Sequence, residues 1–291
     1  MPLDSAIVGQ QIEAITHSVD ARWIMAYAAA LDDYNPRYFH THEHTVSAHP
    51  VFPVCVEWPV ILNTRALAGS QTLTVAEAAR GVHAAHDLHI LRPIRADDVL
   101  STHATMVEVK AIKPGAAYTM RLDTHDQQGA LVARTYQLGI YRGVEVTGGD
   151  RREGDIPSAP ERLDLSSVAT SAVQQIPIRQ GLAHTYTECA RIWNPIHTDT
   201  KIALDAGLPD IILHGTATLA LAITAVVNRY ADGNPGRVKR LGGRFAAMVE
   251  MPSNITLRSA ERQGTVTFVV DNAAGDAAIS GGYVVLGDDG G

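Results

Sequence analysis

Apolar residues recur at helical spacing from Ala21 to Leu31, behind Asp20 as a plausible N-cap, and again from Gln180 to Ala190. A longer apolar stretch runs from Gly215 through Ala217, Leu219, Ala222, Val226 and Val227 to Tyr230. It is apolar on nearly every face, which predicts a helix wrapped by a sheet and not one lying on a surface. Its counterpart, about Val56 to Leu67, contains Pro59, which a helix tolerates in its first turn. β-rich runs follow each long helix: 99–111, 117–124 and 131–141 after the first, 255–259, 265–270 and 278–286 after the second. The same order of elements therefore occurs twice.

Individual residues repeat with it. An offset of 159 lays Tyr186 on Tyr27, Asn194 on Asn35 and Pro195 on Pro36. Further on, the stretch from Arg92 to Val99 parallels that from Ala247 to Asn254 at a slightly smaller offset. Between the halves, residues 146–172 are polar and rich in Gly, Pro and Ser, a linker by composition. The expected organisation is a first unit over 1–145 and a second over 173–291.

Composition narrows the class. At 291 residues with 46% hydrophobic and 19% charged content, the chain is globular and long enough for two domains. A net charge of −7, with Arg237-Val238-Lys239-Arg240 as the densest basic stretch, argues against nucleic acid as a partner. The two cysteines, Cys55 and Cys189, suggest no disulfide framework and fit a reducing cytoplasm. The first residues lack the pattern of a secretory signal, and no apolar run reaches the roughly 18 residues of a membrane span. A cytoplasmic protein without membrane contact is the expectation.

Candidate chemistry concentrates in Trp193-Asn194-Pro195-Ile196-His197-Thr198-Asp199 and in His214-Gly215 at the head of the long helix. His197 follows an Asn-Pro turn, and imidazole transfers protons near neutral pH. The Gly215 N–H has no partner within its helix and lies at the positive end of the helix dipole. With no side chain in the way, a carbonyl oxygen gaining charge can approach it. The alternative for Gly215 is tight packing of a turn, and the two roles are compatible. Histidines 40, 42, 44 and 49, and histidines 83, 86 and 89, form two clusters that read as solvated loops and not as metal sites. Trp23, Trp58 and Trp193 read as core residues.

This motif resembles that of the MaoC-like, (R)-specific enoyl-CoA hydratases, in which Asp-x-Asn-Pro-x-His precedes a His-Gly pair opening the central helix of a hotdog fold. The resemblance implies an α+β double hotdog, two central helices each wrapped by an antiparallel sheet, the sheets joined edge to edge. It implies a lyase that interconverts a 2-enoyl-CoA with its (3R)-hydroxyacyl-CoA. His197, Gly215 and Asn194 are then the catalytic candidates, and Asp199, His214 and Arg244 those for binding the acyl-CoA thioester. No metal or other cofactor is expected, and a homodimer is.

One departure stands out. The family's aspartate falls on Ile192, so His197 acts alone, or a nearby carboxylate such as Glu188 or Asp199 replaces it, or hydration is lost. The first half has the converse defect: Asp33 holds the aspartate position, but Tyr38 holds that of the histidine. The glycine equivalent would fall near Cys55-Val56, where there is none, and His40 has the wrong spacing. That half is expected to shape the acyl tunnel and to help bind CoA. Two other classes remain open: a hotdog thioesterase using Glu57 on the first central helix, and a non-catalytic acyl-CoA-binding subunit.

Overall fold

Asp20 Oδ1 accepts the Trp23 N–H at 2.8 Å, and the first helix, α1, runs Ala21–Ala30 behind that cap. The structure, a computed structural model, describes residues 2–64, 67, 70, 73–167 and 171–288. The second helix, α2, spans Pro53–Asn63, earlier than its apolar run predicts, with Pro59 in its interior. The first-turn proline is Pro53, whose missing N–H would be unpaired there in any case. Burying Val54, Val56 and Val60, at roughly 1.5–3 kcal/mol each, outweighs the interior-proline penalty of about 3 kcal/mol. The expected extension to Leu67 passes through residues 65 and 66, which lie outside the described residues. Helices α3, Leu182–Ala190, and α4, Gly215–Tyr230, fall where the sequence places them. Leu219, Ala220, Ala222, Ile223 and Val226 of α4 are fully buried, so the helix is enclosed along most of its length, with Asn228 and Arg229 exposed near its end.

Ten strands wrap these helices. The first unit contributes β1 (Gln11–Ser18), β2 (Gly81–Ile90), β3 (Val99–Ile112), β4 (Gly115–His125) and β5 (Leu131–Arg142). The second contributes β6 (Ala172–Ile178), β7 (Val238–Phe245), β8 (Ser253–Arg262), β9 (Thr265–Asp271) and β10 (Ala277–Leu286). Their order across the sheet is β1-β3-β4-β5-β2-β7-β10-β9-β8-β6, so the two halves mirror each other about the β2–β7 junction. With Arg151–Arg152 paired onto β3, this makes one continuous sheet of 11 strands. The fold is α+β, a double hotdog.

The junction is an antiparallel ladder from Arg240↔His89 to Arg244↔Ala85. On its outer face Arg240 grips Asp87 with two hydrogen bonds, Nε to Oδ1 at 2.8 Å and Nη2 to Oδ2 at 2.7 Å. A Cβ on Gly242 would strike the His86 carbonyl and the Tyr283 hydroxyl, so only glycine lets the two units approach this closely. The expectation of a solvated histidine loop fails here. His83, His86 and His89 lie on β2, and His86 is buried at the junction. His49, from the other cluster, is also buried.

Above the junction, α1 packs against α3, and Tyr27 meets Tyr186 with the hydroxyl oxygens 3.3 Å apart. Repeat-related residues that touch must lie on the axis relating the two units. The helices run in opposite directions. At one end Trp23 Nε1 donates to the Cys189 carbonyl at 2.9 Å; at the other Arg179 reaches the Ala30 carbonyl at 3.4 Å. The polar stretch 146–172 is held to both units. Val146–Thr147 pairs with Leu3–Asp4, and Leu163 donates its N–H to Thr267 at 3.0 Å. Residues 168–170 of that stretch lie outside the described residues. Among the described residues, no helix is long and apolar enough to cross a membrane.

Candidate active site

Helix α3 stops at Arg191, whose left-handed backbone (φ 58°) turns the chain into the motif loop. Pro195 opens a single 3-10 turn, Pro195–His197, closed by the His197 N–H bonding the Asn194 carbonyl at 3.1 Å. This turn aims the His197 ring inward, where only 9% of the residue remains exposed. Its Nδ1 lies 2.8 Å from the carbonyl oxygen of Ile212. A carbonyl can only accept, so the proton sits on Nδ1 and the Nε2 lone pair is free to act as a base. Burial pushes the ring down to about 4, against a small opposing effect of the Ile212 bond, and keeps it neutral at physiological pH.

His214 stacks on His197, with ring centroids 3.7 Å apart and planes at 27°. Its Nε2 is 3.1 Å from Thr187 Oγ1, and burial, then the neighbouring His197, hold it well below the ordinary imidazole range. The pair therefore has room for one new positive charge at most. Gly215 follows at the first turn of α4, with no side-chain cap on the helix. A Cβ there would lie 3.0 Å from Cδ1 of Phe245, so the glycine keeps the N–H and the Phe245 ring in close register. Phe245 in turn meets the His83 ring edge-on at 4.8 Å. Motif reading passes over Thr187 and His83, because neither carries a motif signal. Both emerge only from contact with His214 and Phe245.

The other candidates are not all brought together. Asn194 is half-buried, and its side chain makes no cap bond. Asp199 is exposed and caps the short helix Thr200–Asp205, accepting the Ile202 N–H at 3.1 Å. Glu188 is also exposed and accepts from the Trp193 indole at 3.4 Å. Neither carboxylate turns inward toward His197. Trp193 is 57% exposed and not a core residue, because the Asn-Pro turn swings it outward. Arg244 is exposed at the end of β7, beside Phe245. Ile192 is buried in the main apolar core at 5% exposure.

The first unit holds an altered copy of the site. Tyr38 fills the place of His197, and His49 that of His214, since His49 meets Tyr27 at 5.8 Å as His214 meets Tyr186 at 5.0 Å. Pro50 follows His49 as Gly215 follows His214, but it lies three residues ahead of α2 and, as a proline, has no N–H to offer. Asp33 accepts from Thr224 Oγ1 at 2.8 Å, and Thr224 also lies 3.2 Å from His49 Nε2. Asp33 cannot stand in for an aspartate at Ile192. The two positions lie at opposite ends of the antiparallel α1 and α3, about 15 Å apart by helix length.

Residues 168–279 match the MaoC like domain, and residues 6–135 the FAS1-like, dehydratase domain region. The peroxisomal multifunctional enzyme type 2 of Drosophila melanogaster is 30% identical over 70% of this chain and 34% of its own. The 3-hydroxyacyl-thioester dehydratase Y of Mycobacterium tuberculosis is 30% identical over 71% of this chain and 70% of its own. Among solved structures, a MaoC-like dehydratase from Phytophthora capsici superposes with a TM-score of 0.83 at 20% identity, covering 98% of both chains. The chain belongs to the MaoC-like dehydratase family. It spans about a third of the length of the multifunctional enzymes it matches, 34% and 28% for the fly and mouse proteins.

Proposed function

We propose that the protein adds or removes water across the double bond of a 2-enoyl-CoA, interconverting it with the (3R)-hydroxyacyl-CoA. The observation that carries this reading is the fixed tautomer of His197, which leaves Nε2 unprotonated in a site that also holds the Gly215 N–H. In the hydration direction, Nε2 takes a proton from water as its oxygen bonds C3. The C2=C3 electron pair moves toward the thioester, whose oxygen gains charge against the Gly215 N–H. The imidazolium then returns the proton to C2, and the enolate collapses. One group serving as base and then as acid delivers both parts of water to one face, so no second carboxylate is required. Asn194 holds the water or the thioester, and Arg244 pairs with a CoA phosphate at the mouth.

On this reading the second unit, 173–291, performs the chemistry, and the first, 1–145, binds the acyl-CoA and performs none. The names of two mycobacterial relatives, an enoyl-CoA hydratase and a 3-hydroxyacyl-thioester dehydratase, support the reaction class. The thioesterase alternative is weakened because Glu57 is 1% exposed and its Oε1 is already taken by the Thr135 hydroxyl. A chain that pairs with a second copy through its outer strands, β1 or β6, and works in the cytoplasm completes the proposal; light scattering tests the pairing.

Loss of the enoyl absorbance on mixing with crotonyl-CoA, without release of free thiol, is the expected result. Saturable binding with neither signal would favour a binding subunit instead. The rate has a distinctive pH dependence. His197 must be neutral to act as base, and its folded value is about 4, so kcat/KM should stay flat as pH falls through 6.5 and drop only near 4. A limb near 6.5 in the pH profile would mean a solvated imidazole, contrary to the observed burial. Ile192→Asp probes the missing motif aspartate. A carboxylate there, buried against the apolar core, is expected to lower the melting temperature and the turnover of the protein's own substrate. A gain of turnover on crotonyl-CoA would instead mark Ile192 as a defect in an ordinary hydratase site.

A further inference from the structure

Two polar side chains inside the first unit are buried without their hydrogen bonds. Glu57, on the inner face of α2, receives the Thr135 hydroxyl on Oε1, while Oε2 has no partner. His86, on β2, is 2% exposed, and neither ring nitrogen has a partner. Such groups are destabilising when left unmet, and a native interior holds few of them. They are also neighbours. Thr135 lies opposite Leu88 in the β2–β5 ladder, and His86 opposite Gln137, one pair along on the same inner face. Diagonal positions of this kind are about 7–8 Å apart, so the Glu57 carboxyl held at Thr135 and the His86 ring lie over the same part of the inner face.

A chain of contacting rings links them to the reacting centre. From the Gly215 N–H the Phe245 ring comes first, then His83 at 4.8 Å from it, then His86 at 5.4 Å from His83. CoA is large and charged, so the part of a thioester that can reach inward beside these rings is its acyl group. We propose that Glu57 and His86 form a polar floor to the acyl pocket, and that the substrate's acyl group carries a hydroxyl group which bridges them. This rests on the hydratase reading of the site above. A hydroxyl both donates and accepts, and a neutral imidazole offers one donor and one acceptor. Burial raises Glu57 to about 7 and holds His86 at about 4, so the floor is uncharged or singly negative near neutrality. A carboxylate at the far end of the acyl group meets repulsion there, and a plain alkyl end leaves both groups unmet.

The test compares matched trans-2-enoyl-CoAs of increasing length, unsubstituted, ω-hydroxylated and ω-carboxylated. The wild-type protein is expected to favour the hydroxylated member at one length by about tenfold or more in kcat/KM, as when a site's polar groups are left unpaired by the wrong substrate. His86→Phe, which removes two unmet nitrogens, should fold with unchanged or higher melting temperature, and Glu57→Met, which leaves the buried Thr135 hydroxyl unmet, with a somewhat lower one; each should abolish that preference. Equal kcat/KM across the series, a preference for the carboxylate, or variants that keep the hydroxyl preference would overturn the inference while leaving the hydratase reading intact. Turnover of no member would defeat both.

Discussion

Replacing His197 by alanine should lower the hydration rate by roughly 10²–10⁴-fold, the range for losing a positioned acid–base group. It should lower the melting temperature too. A ring in a solvated cleft could be lost at little cost to stability. In the fold it is 9% exposed, stacks on His214 at 3.7 Å and donates to the Ile212 carbonyl, so alanine leaves a cavity and an unmet acceptor. His197→Asn separates the two effects. Its amide can still donate to Ile212 but has no basic nitrogen, so stability should recover while turnover stays low. Thermal melts and single-turnover decay of the enoyl absorbance on the three proteins decide it. Full turnover in His197→Ala would remove the histidine from the mechanism.

The second large effect belongs to Gly215. Alanine and proline each bring a Cβ to about the same place, 3.0 Å from Phe245, but only proline removes the N–H. Gly215→Ala therefore measures crowding alone. Gly215→Pro should fall a further 10²–10³-fold or so in kcat, the cost of one oxyanion donor. Proline is well tolerated at a first helical position, so the helix itself should persist. If the two variants have equal kcat, the thioester oxygen is held elsewhere. In the first unit the residue after His49 is Pro50, ahead of α2, and it too has no N–H to offer a thioester oxygen.

Much of this architecture can be read from the residues. Asp20 announces α1, the unbroken apolar faces of 215–230 announce a wrapped helix, and the runs after Val99 and Thr265 alternate as strands do. The junction strands escape notice for a clear reason. His83, His86 and His89 on β2 and Gly242-Gly243 on β7 are poor strand formers in isolation, and they are tolerated because strands pair on both sides of them. The equivalence of His49 with His214 is hidden because the insertion before α2 differs in length from that before α4. His197 and Gly215 were legible as a pair, since local spacing fixes both. Burial of His197, the outward turn of Asp199 and the orphaned Glu57 were not, because each depends on neighbours distant in sequence.

The β2–β7 junction also changes how the assembly responds to dilution. When two separate copies of a unit must pair edge to edge, the concentration of joined pairs follows the square of the free-unit concentration, so the fraction joined falls on dilution. Here the strands belong to one polypeptide, and each meets its partner at a fixed local concentration that a tether of this kind holds near the millimolar range. The eleven-stranded sheet, with the His197 and Gly215 site beside its seam, persists however few molecules are present. Specific activity should then be flat across enzyme dilution. Covalent joining also lets the copies drift apart, so that Pro50 can follow His49 in one without touching Gly215 in the other.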